Sequence, residues 1–451
     1  MKFYSGNLRA CAGLLLFGYL SIADADEFQR GLEAFKHEDY GTAYAAWMPL
    51  AEAGDLNAMY NVGLLYDDGL GVEKDKQRAL EWYMLPAEEG DVSAQFNVAV
   101  IYDFGDGVPE DNEKAIYWYT QAARQADEQA QFNLAVMYAT GEGTDVDIDE
   151  AIYWYKMSAD LGHAPAQYNL AHLYDVGEYV EEDNQLAMQL YMKAAEQGDS
   201  DAQYAVALMY DEGDGFIEDD IAAIEWYERA AEQGNMRAQF NLAVMYDVGE
   251  GVPEDNLAAI HWYTAAAELG HESAQLNLGV MYENGEGVDA DPAQAMKWYR
   301  MAADQGSRDA QYAVALMFDE GVGVPEDNVA AIAWYTRAAE QGDPQAQNNL
   351  GAMYDAGEGT VINDREAVKW YTLAANQGNT IAQNNLGAMY YTGEGIEASR
   401  LQAYKWFLIA GELGNEDAKD NQELAADGLK RSELKKARKL AAQWLKEFKA
   451  Q

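Results

Sequence analysis

Acidic residues interrupted by glycines recur in short segments that could bind a calcium ion or a phosphate group. One such segment, YDFGDGVPEDNEKAIYWY, occupies residues 102–119, and close copies occupy 246–263 and 318–335. Closely spaced carboxylates are typical of calcium loops. Glycines before a helix are typical of phosphate-binding loops. A third interpretation is a plain turn between two helices.

The spacing agrees with neither kind of ligand site. In residues 211–222, Gly213 and Gly215 stand where a calcium helix-loop-helix needs oxygen ligands, and Ala222 replaces its terminal glutamate. A phosphate loop would need a Gly-Lys-Ser/Thr sequence, which these acidic segments lack. The segments therefore favour a helix stop, a tight turn and a helix start.

The sequence also lacks the other residue patterns that are typical of catalytic sites. No two histidines share a helical spacing suited to a metal, and no serine lies in a nucleophile-elbow motif. Carboxylates are abundant, but nothing marks one pair as an acid and base. The five histidines are His37, His163, His172, His261 and His271. We expect no enzymatic activity, no catalytic residue, no metal site and no cofactor.

The formal net charge of −48 at pH 7 restricts the partners of this 451-residue chain. Such a charge repels the phosphates of nucleic acids and the surface of anionic membranes. It attracts cationic partners and keeps the chain soluble. A hydrophobic content of 49% argues against intrinsic disorder. We therefore expect a folded protein that does not bind nucleic acid.

The first 25 residues have the features of a secretory signal peptide. Lys2 and Arg9 precede the short apolar run ACAGLLLFGYLSI, and Ala23-Asp24-Ala25 has the small-x-small pattern of a cleavage site. Cleavage near Ala25 predicts export to the periplasm or the extracellular space, and removes the only cysteine, Cys11. The alternatives are a buried helix or a membrane anchor, for which the run is short. No other segment is predicted to span a membrane.

A period of 36 residues organises most of the chain. Ten units, over residues 55–414, each carry an aromatic or apolar pair at the same place. Eight of these pairs are Trp-Tyr, at 82–83, 118–119, 154–155, 226–227, 262–263, 298–299, 334–335 and 370–371. Such a period is typical of repeat proteins, in which stacked units share one continuous core.

Each unit has the signals of two helices and a turn. In 237–270, apolar residues at helical spacing are followed by Gly249 and Gly251, which suit the left-handed turn after a helix. Asp255 then suits the N-cap of a second helix, in which Ala259 is small enough for close helix packing. Three aromatic positions per unit, represented by Tyr246 and the 262–263 pair, are expected in the core.

These signals predict an all-α fold, a right-handed α-solenoid of about ten helix-turn-helix repeats. Residues 26–54 form a divergent N-terminal helix pair, and residues 415–451 contain basic C-terminal helices. The last segment is amphipathic and could be a membrane or partner segment. We favour a helix that caps the final repeat.

The repeat also resembles a known family. The pattern A-Q-x-N-L-G/A-x-M-Y-x-x-G-x-G-V followed by A-x-x-W-Y, as in 346–360 and 382–396, is similar to the Sel-one-like repeat (SLR) family, relatives of tetratricopeptide repeats. The resemblance covers 55–414 and implies a scaffold that binds proteins or peptides. Some bacterial members act as envelope adaptors. A cysteine-rich branch is linked to β-lactam chemistry, but the disulfide pairs of that branch are missing here, so this activity is not inferred.

One face of each first helix is a candidate partner site. The position of Phe240 is aromatic in seven of ten units, and that of Asp247, seven residues later, is acidic in eight. By analogy with tetratricopeptide proteins, this face lines a concave groove. The alternative is that the aromatics pack on a neighbouring unit and the carboxylates are merely solvated. The predicted contact residues are Phe96, Asp103, Phe132, Tyr168, Asp175, Tyr204, Asp211, Phe240, Asp247, Tyr312 and Asp319.

A groove of aromatics and carboxylates should prefer a basic segment with apolar side chains. The sequence thus predicts a non-enzymatic interaction scaffold of the bacterial cell envelope that binds a protein or peptide. The alternative is an acidic envelope component that binds cations or carbohydrate. The sequence leaves the oligomeric state open.

Overall fold

The computed structural model describes residues 22–213 and 217–450, with side chains described from Asp24 onward. These residues contain 24 α-helices and no β-strand. The predicted all-α repeat fold is confirmed. Most of the predicted signal segment, residues 1–21, lies outside the described residues. The chain divides into two compact units, residues 1–219 and 220–451.

The first unit contains eleven described helices, most of them 13 residues long. They are α1 (Ile22–Lys36), α2 (Tyr40–Glu52), α3 (Leu56–Asp68), α4 (Lys76–Glu88), α5 (Val92–Phe104), α6 (Asn112–Arg124), α7 (Glu128–Thr140), α8 (Ile148–Asp160), α9 (Ala164–Val176), α10 (Asn184–Glu196) and α11 (Ser200–Glu212). Consecutive helices contact each other, so each one packs between its neighbours in the chain.

The second unit contains thirteen described helices, which contact each other sequentially from α12 to α23, while α24 packs on α22. They are α12 (Asp220–Glu232), α13 (Met236–Val248), α14 (Asn256–Glu268), α15 (Glu272–Asn284), α16 (Pro292–Gln305), α17 (Arg308–Glu320), α18 (Asn328–Glu340), α19 (Pro344–Ala356), α20 (Asp364–Asn376), α21 (Thr380–Thr392), α22 (Arg400–Glu412), α23 (Asp417–Ala426) and α24 (Arg431–Phe448). None of the described helices is both long and apolar enough to cross a bilayer.

The turn within each repeat has the predicted helix stop and helix start. Gly249 has a φ of 75°, and its N–H donates to the carbonyl of Met245, which closes α13. The carboxylate of Asp255 accepts from the N–H of Ala258 at 3.1 Å and caps α14. A side chain at Gly251 would collide with Asp220 of the preceding repeat. The glycine and aspartate spacing thus predicted the turn correctly, because both residues act through local backbone geometry.

The core of a repeat is completed by the repeat that follows it. Ala259 and Tyr263 of α14 are fully buried, and they lie in one cluster with Leu278 of α15 and Trp298 of α16. A single hairpin would leave this surface exposed to water, so stacking is what stabilises it. The three predicted aromatic positions differ in burial. Tyr246 and Trp262 are partly buried and pack against this cluster, and the hydroxyl of Tyr246 donates to Glu228 at 3.0 Å.

Buried glutamines join each repeat to the next. The side-chain amide of Gln275 donates to the carbonyl of Ala267 in the preceding repeat at 3.0 Å, and its Oε1 accepts from Gln305 of its own repeat at 2.8 Å. Equivalent pairs join Gln125 to Gln95, Gln197 to Gln167, Gln341 to Gln311, and Gln377 to Gln347. The pairs satisfy polar atoms that would be costly to bury alone.

Three repeats carry a leucine in place of the second glutamine of this pair. Leucine takes its place at 161, 269 and 413. In these repeats, the Oε1 atoms of Gln131, Gln239 and Gln383 are buried with no hydrogen-bond partner among the described residues.

We expect Leu269→Gln to stabilise the second unit. The Leu269 side chain is 56% exposed, so little apolar contact is lost, and the new amide can donate to Gln239 as Gln305 donates to Gln275. The free energy of unfolding should rise by about 0.5–1.5 kcal/mol, measured by urea denaturation. Leu257→Gln, at a 66% exposed position, is the matched control and should change it by less than about 0.5 kcal/mol. Equal effects of the two changes would contradict the expectation.

Candidate functional site

The predicted contact residues all lie on first helices of repeats, as the pattern required. We call them the aromatic–carboxylate face. Phe96 and Asp103 lie on α5, Phe132 on α7, Tyr168 and Asp175 on α9, Tyr204 and Asp211 on α11, Phe240 and Asp247 on α13, and Tyr312 and Asp319 on α17. The division of the chain into two units means that each unit presents its own part of this face. Contact of these residues with a partner stays a prediction.

The aromatic rings of this face are half-buried. Phe240 packs one side against the ring of Tyr263, with the centroids 6.0 Å apart, and leaves part of its surface accessible. The same arrangement pairs Phe96 with Tyr119, Phe132 with Tyr155, Tyr168 with Tyr191, and Tyr312 with Tyr335. The rings therefore serve partly as packing within their own repeat. Their remaining surface is apolar area that a partner could cover.

A histidine covers part of the Phe240 ring. The imidazole of His271 stacks on it with a centroid distance of 4.2 Å. Its Nδ1 accepts from the N–H of Ala274 at 3.2 Å and so caps α15. Burial lowers the pKa of His271. A neutral imidazole keeps Nδ1 available as the cap acceptor, so this histidine is structural.

The carboxylates of the face are hydrogen-bonded to buried tyrosines. Tyr263, which is fully buried, donates its hydroxyl proton to Asp247 at 3.1 Å. Equivalent bonds join Tyr119 to Asp103, Tyr191 to Asp175, and Tyr335 to Asp319, each at 3.1 Å. In one repeat a glutamate, Glu283, replaces the aspartate and accepts the hydroxyl proton of Tyr299 at 2.6 Å. These carboxylates are thus more than a solvated surface, because each holds a core hydroxyl.

An asparagine from the following repeat completes this polar arrangement. The amide of Asn277 donates to the Tyr263 hydroxyl at 3.0 Å. Asn133, Asn169, Asn241 and Asn349 donate in the same way to Tyr119, Tyr155, Tyr227 and Tyr335. The sequence did not indicate this role, although asparagine recurs at that position in eight of ten repeats. The bonds fix the orientation of the carboxylate, which is partly exposed at Asp247 and Asp319 but buried at Asp103.

The electrostatics of the face favour a cationic partner. Burial raises the pKa of Asp247, and the carboxylates of Glu286 and Glu254 raise it further, while the hydrogen bond from Tyr263 opposes the rise. Burial also raises the pKa of Tyr263, which stays a phenol. A positive group near Asp247 would relieve the repulsion among these carboxylates.

The last repeats present a different surface. Asn348 and Asn384 replace the aromatic ring. Asn385 donates to Asn348 at 3.3 Å, and Asn421 donates to Asn384 at 2.9 Å. Amide pairs thus link α21 to α19 and α23 to α21, at a position that carries an aromatic ring in most other repeats. The half-buried apolar area is smaller here, so the aromatic–carboxylate face ends before these repeats.

The described residues offer little for metal or covalent chemistry. No group of three or more His, Cys, Asp and Glu side chains is arranged to hold a metal ion within 24–213 and 217–450. The arrangement can bind a cation or an apolar side chain at the surface.

Comparison with known proteins identifies the repeat. The Sel1 repeat family matches ten times, at 56–91, 92–127, 128–163, 164–199, 200–235, 237–271, 272–307, 308–343, 344–379 and 380–415. The chain belongs to the Sel1 repeat family. Among curated proteins, no sequence matches it.

Two solved structures extend the Sel1 comparison. A protective antigen present in uropathogenic Escherichia coli strains, which displays an SLR fold, is 32% identical, with 90% of this chain and 95% of that one covered and a TM-score of 0.66. A Sel1 repeat protein from Oxalobacter formigenes is 33% identical, with 69% and 90% covered and a TM-score of 0.53. Sel1 repeat proteins generally mediate protein–protein interactions and are generally non-catalytic.

Proposed function

We propose that this Sel1 repeat protein is an exported scaffold of the bacterial cell envelope, and that its aromatic–carboxylate face binds a basic protein segment with apolar side chains. The observation that carries the proposal is the repeated pairing of a half-buried ring with an oriented carboxylate, as in Phe240 and Asp247. Export rests on the signal-like first 25 residues. The face fits lysine or arginine alternating with apolar residues.

Two physical effects would act together in this binding. Covering the accessible side of each ring contributes about 25 cal/mol per Å² of apolar area removed from water. The carboxylates accelerate capture and select against acidic partners. Since a tyrosine hydroxyl already holds the carboxylates of Asp175, Asp247 and Asp319 in place, little side-chain entropy is lost on binding.

The test compares three synthetic peptides of equal length, containing Lys and Leu, Lys and Ser, or Glu and Leu. Their affinities are measured by fluorescence anisotropy. We expect the Lys/Leu peptide to bind most tightly. Asp247→Asn with Asp319→Asn should weaken it several-fold, because asparagine keeps an acceptor for the tyrosine hydroxyl but removes the charge. A preference for Lys/Ser over Lys/Leu would contradict a role for the rings.

The matched control removes the same charge elsewhere. Asp289 and Glu326 are exposed residues of the turns, so Asp289→Asn with Glu326→Gln changes the net charge equally without touching the face. Equal weakening by both pairs would show that only overall charge matters. Calorimetry with calcium chloride examines the alternative, an acidic component that collects cations. Tight, saturable calcium binding with no peptide preference would favour that alternative.

A further inference from the structure

The apolar side of the last helix, α24, packs against the rest of the protein. Ala437 and Ala441 are fully buried, and Trp444 packs edge-on against Trp406 of α22 with centroids 5.8 Å apart. Phe448 stacks on Trp444 at 4.9 Å and covers Gly378. This contact leaves no continuous apolar stripe on the outer side of α24.

The outer side of α24 is a basic surface, which we call the basic cap surface. Residues 430–449 contain eight Lys or Arg and two Glu. The exposed cations are Lys430, Arg431, Lys435, Lys436, Arg438, Lys439, Lys446 and Lys449. Arg438 donates to the hydroxyl of Tyr404 at 3.0 Å. Among the described residues, none of the eight forms an ion pair with a carboxylate.

The complementary charge is abundant on the same chain. Residues 22–219 contain nine Lys or Arg and 42 Asp or Glu. Part of this charge lies in two turns of neighbouring repeats, before α8 and α10, which we call the acidic turns. Their exposed carboxylates are Asp145, Asp147, Asp149, Glu150, Glu178, Glu181, Glu182 and Asp183. No lysine or arginine lies within 141–150 or 177–183.

We propose that the basic cap surface of one copy docks on the acidic turns of a second copy. Each surface carries eight charges of one sign, and none of them is in an ion pair within the described parts of its own chain. At physiological salt, charges interact over roughly 8 Å, so the local match between two surfaces outweighs the net repulsion of two acidic chains. Since the two surfaces differ, the contact is heterologous and joins copies head to tail.

An anionic membrane fits the basic cap surface less well. Stable membrane binding by a basic helix needs apolar residues that enter the lipid as well as charge. Those residues of α24 are already packed, including Trp444 and Phe448. The acidic repeats behind α24 would also be repelled by the lipid surface.

The test measures the mass of the full chain by sedimentation velocity over a range of protein concentrations. We expect the weight-average mass to rise above 49.9 kDa with concentration at low salt. Raising sodium chloride from about 50 to about 500 mM should weaken association about tenfold or more. A single-chain mass at every concentration and salt would overturn the proposal.

A charge swap then identifies the surfaces. The cap variant is Lys435→Glu, Lys436→Glu, Lys439→Glu and Lys446→Glu. The turn variant is Asp145→Lys, Asp149→Lys, Glu178→Lys and Glu181→Lys, which leaves the helix caps unchanged. Each variant alone should stay a single chain, and a 1:1 mixture should associate, because it restores opposite charges. Association of either variant alone to the wild-type extent would overturn the assignment.

A vesicle-binding assay distinguishes a membrane surface from a second copy of the chain as the partner of the basic cap surface. The probe is phosphatidylcholine containing about 30% phosphatidylserine, in a flotation assay with the wild-type chain. We expect no more binding than to phosphatidylcholine alone. Binding that is abolished in the cap variant, together with a single-chain mass in solution, would overturn the proposal in favour of a lipid surface. The aromatic–carboxylate face is unchanged in the cap variant, so peptide binding to that face can be measured independently of self-association.

Discussion

Tyr263→Ala should lower the free energy of unfolding of the second unit by about 3–5 kcal/mol. The side chain is fully buried at the junction of two repeats, where it contacts the cluster that contains Leu278 and Trp298. The substitution leaves a cavity. It also leaves Asp247 and Asn277 without the hydroxyl that joins them, which adds to the cost. Urea denaturation followed by circular dichroism measures the change.

Two variants separate the contributions to this loss. Tyr263→Phe keeps the ring and removes the hydroxyl, so it should cost about 1–3 kcal/mol from the orphaned polar groups. Tyr153→Ala removes a tyrosine that is 53% exposed on α8, and it should change stability by less than about 0.5 kcal/mol. If Tyr263→Ala cost no more than Tyr153→Ala, repeat stacking would not depend on this ring.

The sequence was sufficient to predict features that arise within one hairpin. Gly249 and Asp255 act on the backbone immediately beside them, so their spacing predicted the turn and the helix start. Helical periodicity found the buried stripe that contains Leu242. It did not show that Tyr246 is only partly buried, with its ring against the core and its hydroxyl donating to Glu228. Periodicity identifies which face of a helix is buried, but not how deeply each side chain on that face is buried.

Features that join separate helices were harder to predict. The Asn277–Tyr263–Asp247 chain connects residues 14 and 16 positions apart, and the Gln305–Gln275 pair spans 30. Neither separation matches a helical spacing, so only recurrence in the 36-residue period could have indicated them. The candidate site is composed of these contacts. Sequence therefore located its residues, while the reason for their fixed orientation came from the packing of helices.

Close packing of helices within a repeat also depends on residues whose role the periodicity does not show. A Cβ atom placed on Gly387 of α21 would lie 2.6 Å from Cε1 of Phe407 on α22. Gly279 and Gly351 approach Tyr299 and Tyr371 in the same way. Other repeats carry fully buried alanines here, including Ala243 and Ala315. The repeats with glycine therefore have no space for the methyl group that the others accommodate.

Gly387→Ala should accordingly destabilise the second unit by about 1–3 kcal/mol, even though alanine favours a helix by up to about 1 kcal/mol. The cost of the steric clash exceeds the gain in helix propensity, because the added methyl group meets the ring of Phe407, which is itself buried. Gly411→Ala on α22 is the matched control. Its nearest obstacle is the flexible side chain of Lys419, at 3.3 Å, so we expect no loss or a small gain. Urea denaturation of both variants should give changes of opposite sign or clearly different size. Equal changes would mean that helix propensity, rather than contact with the ring, determines how these substitutions affect stability.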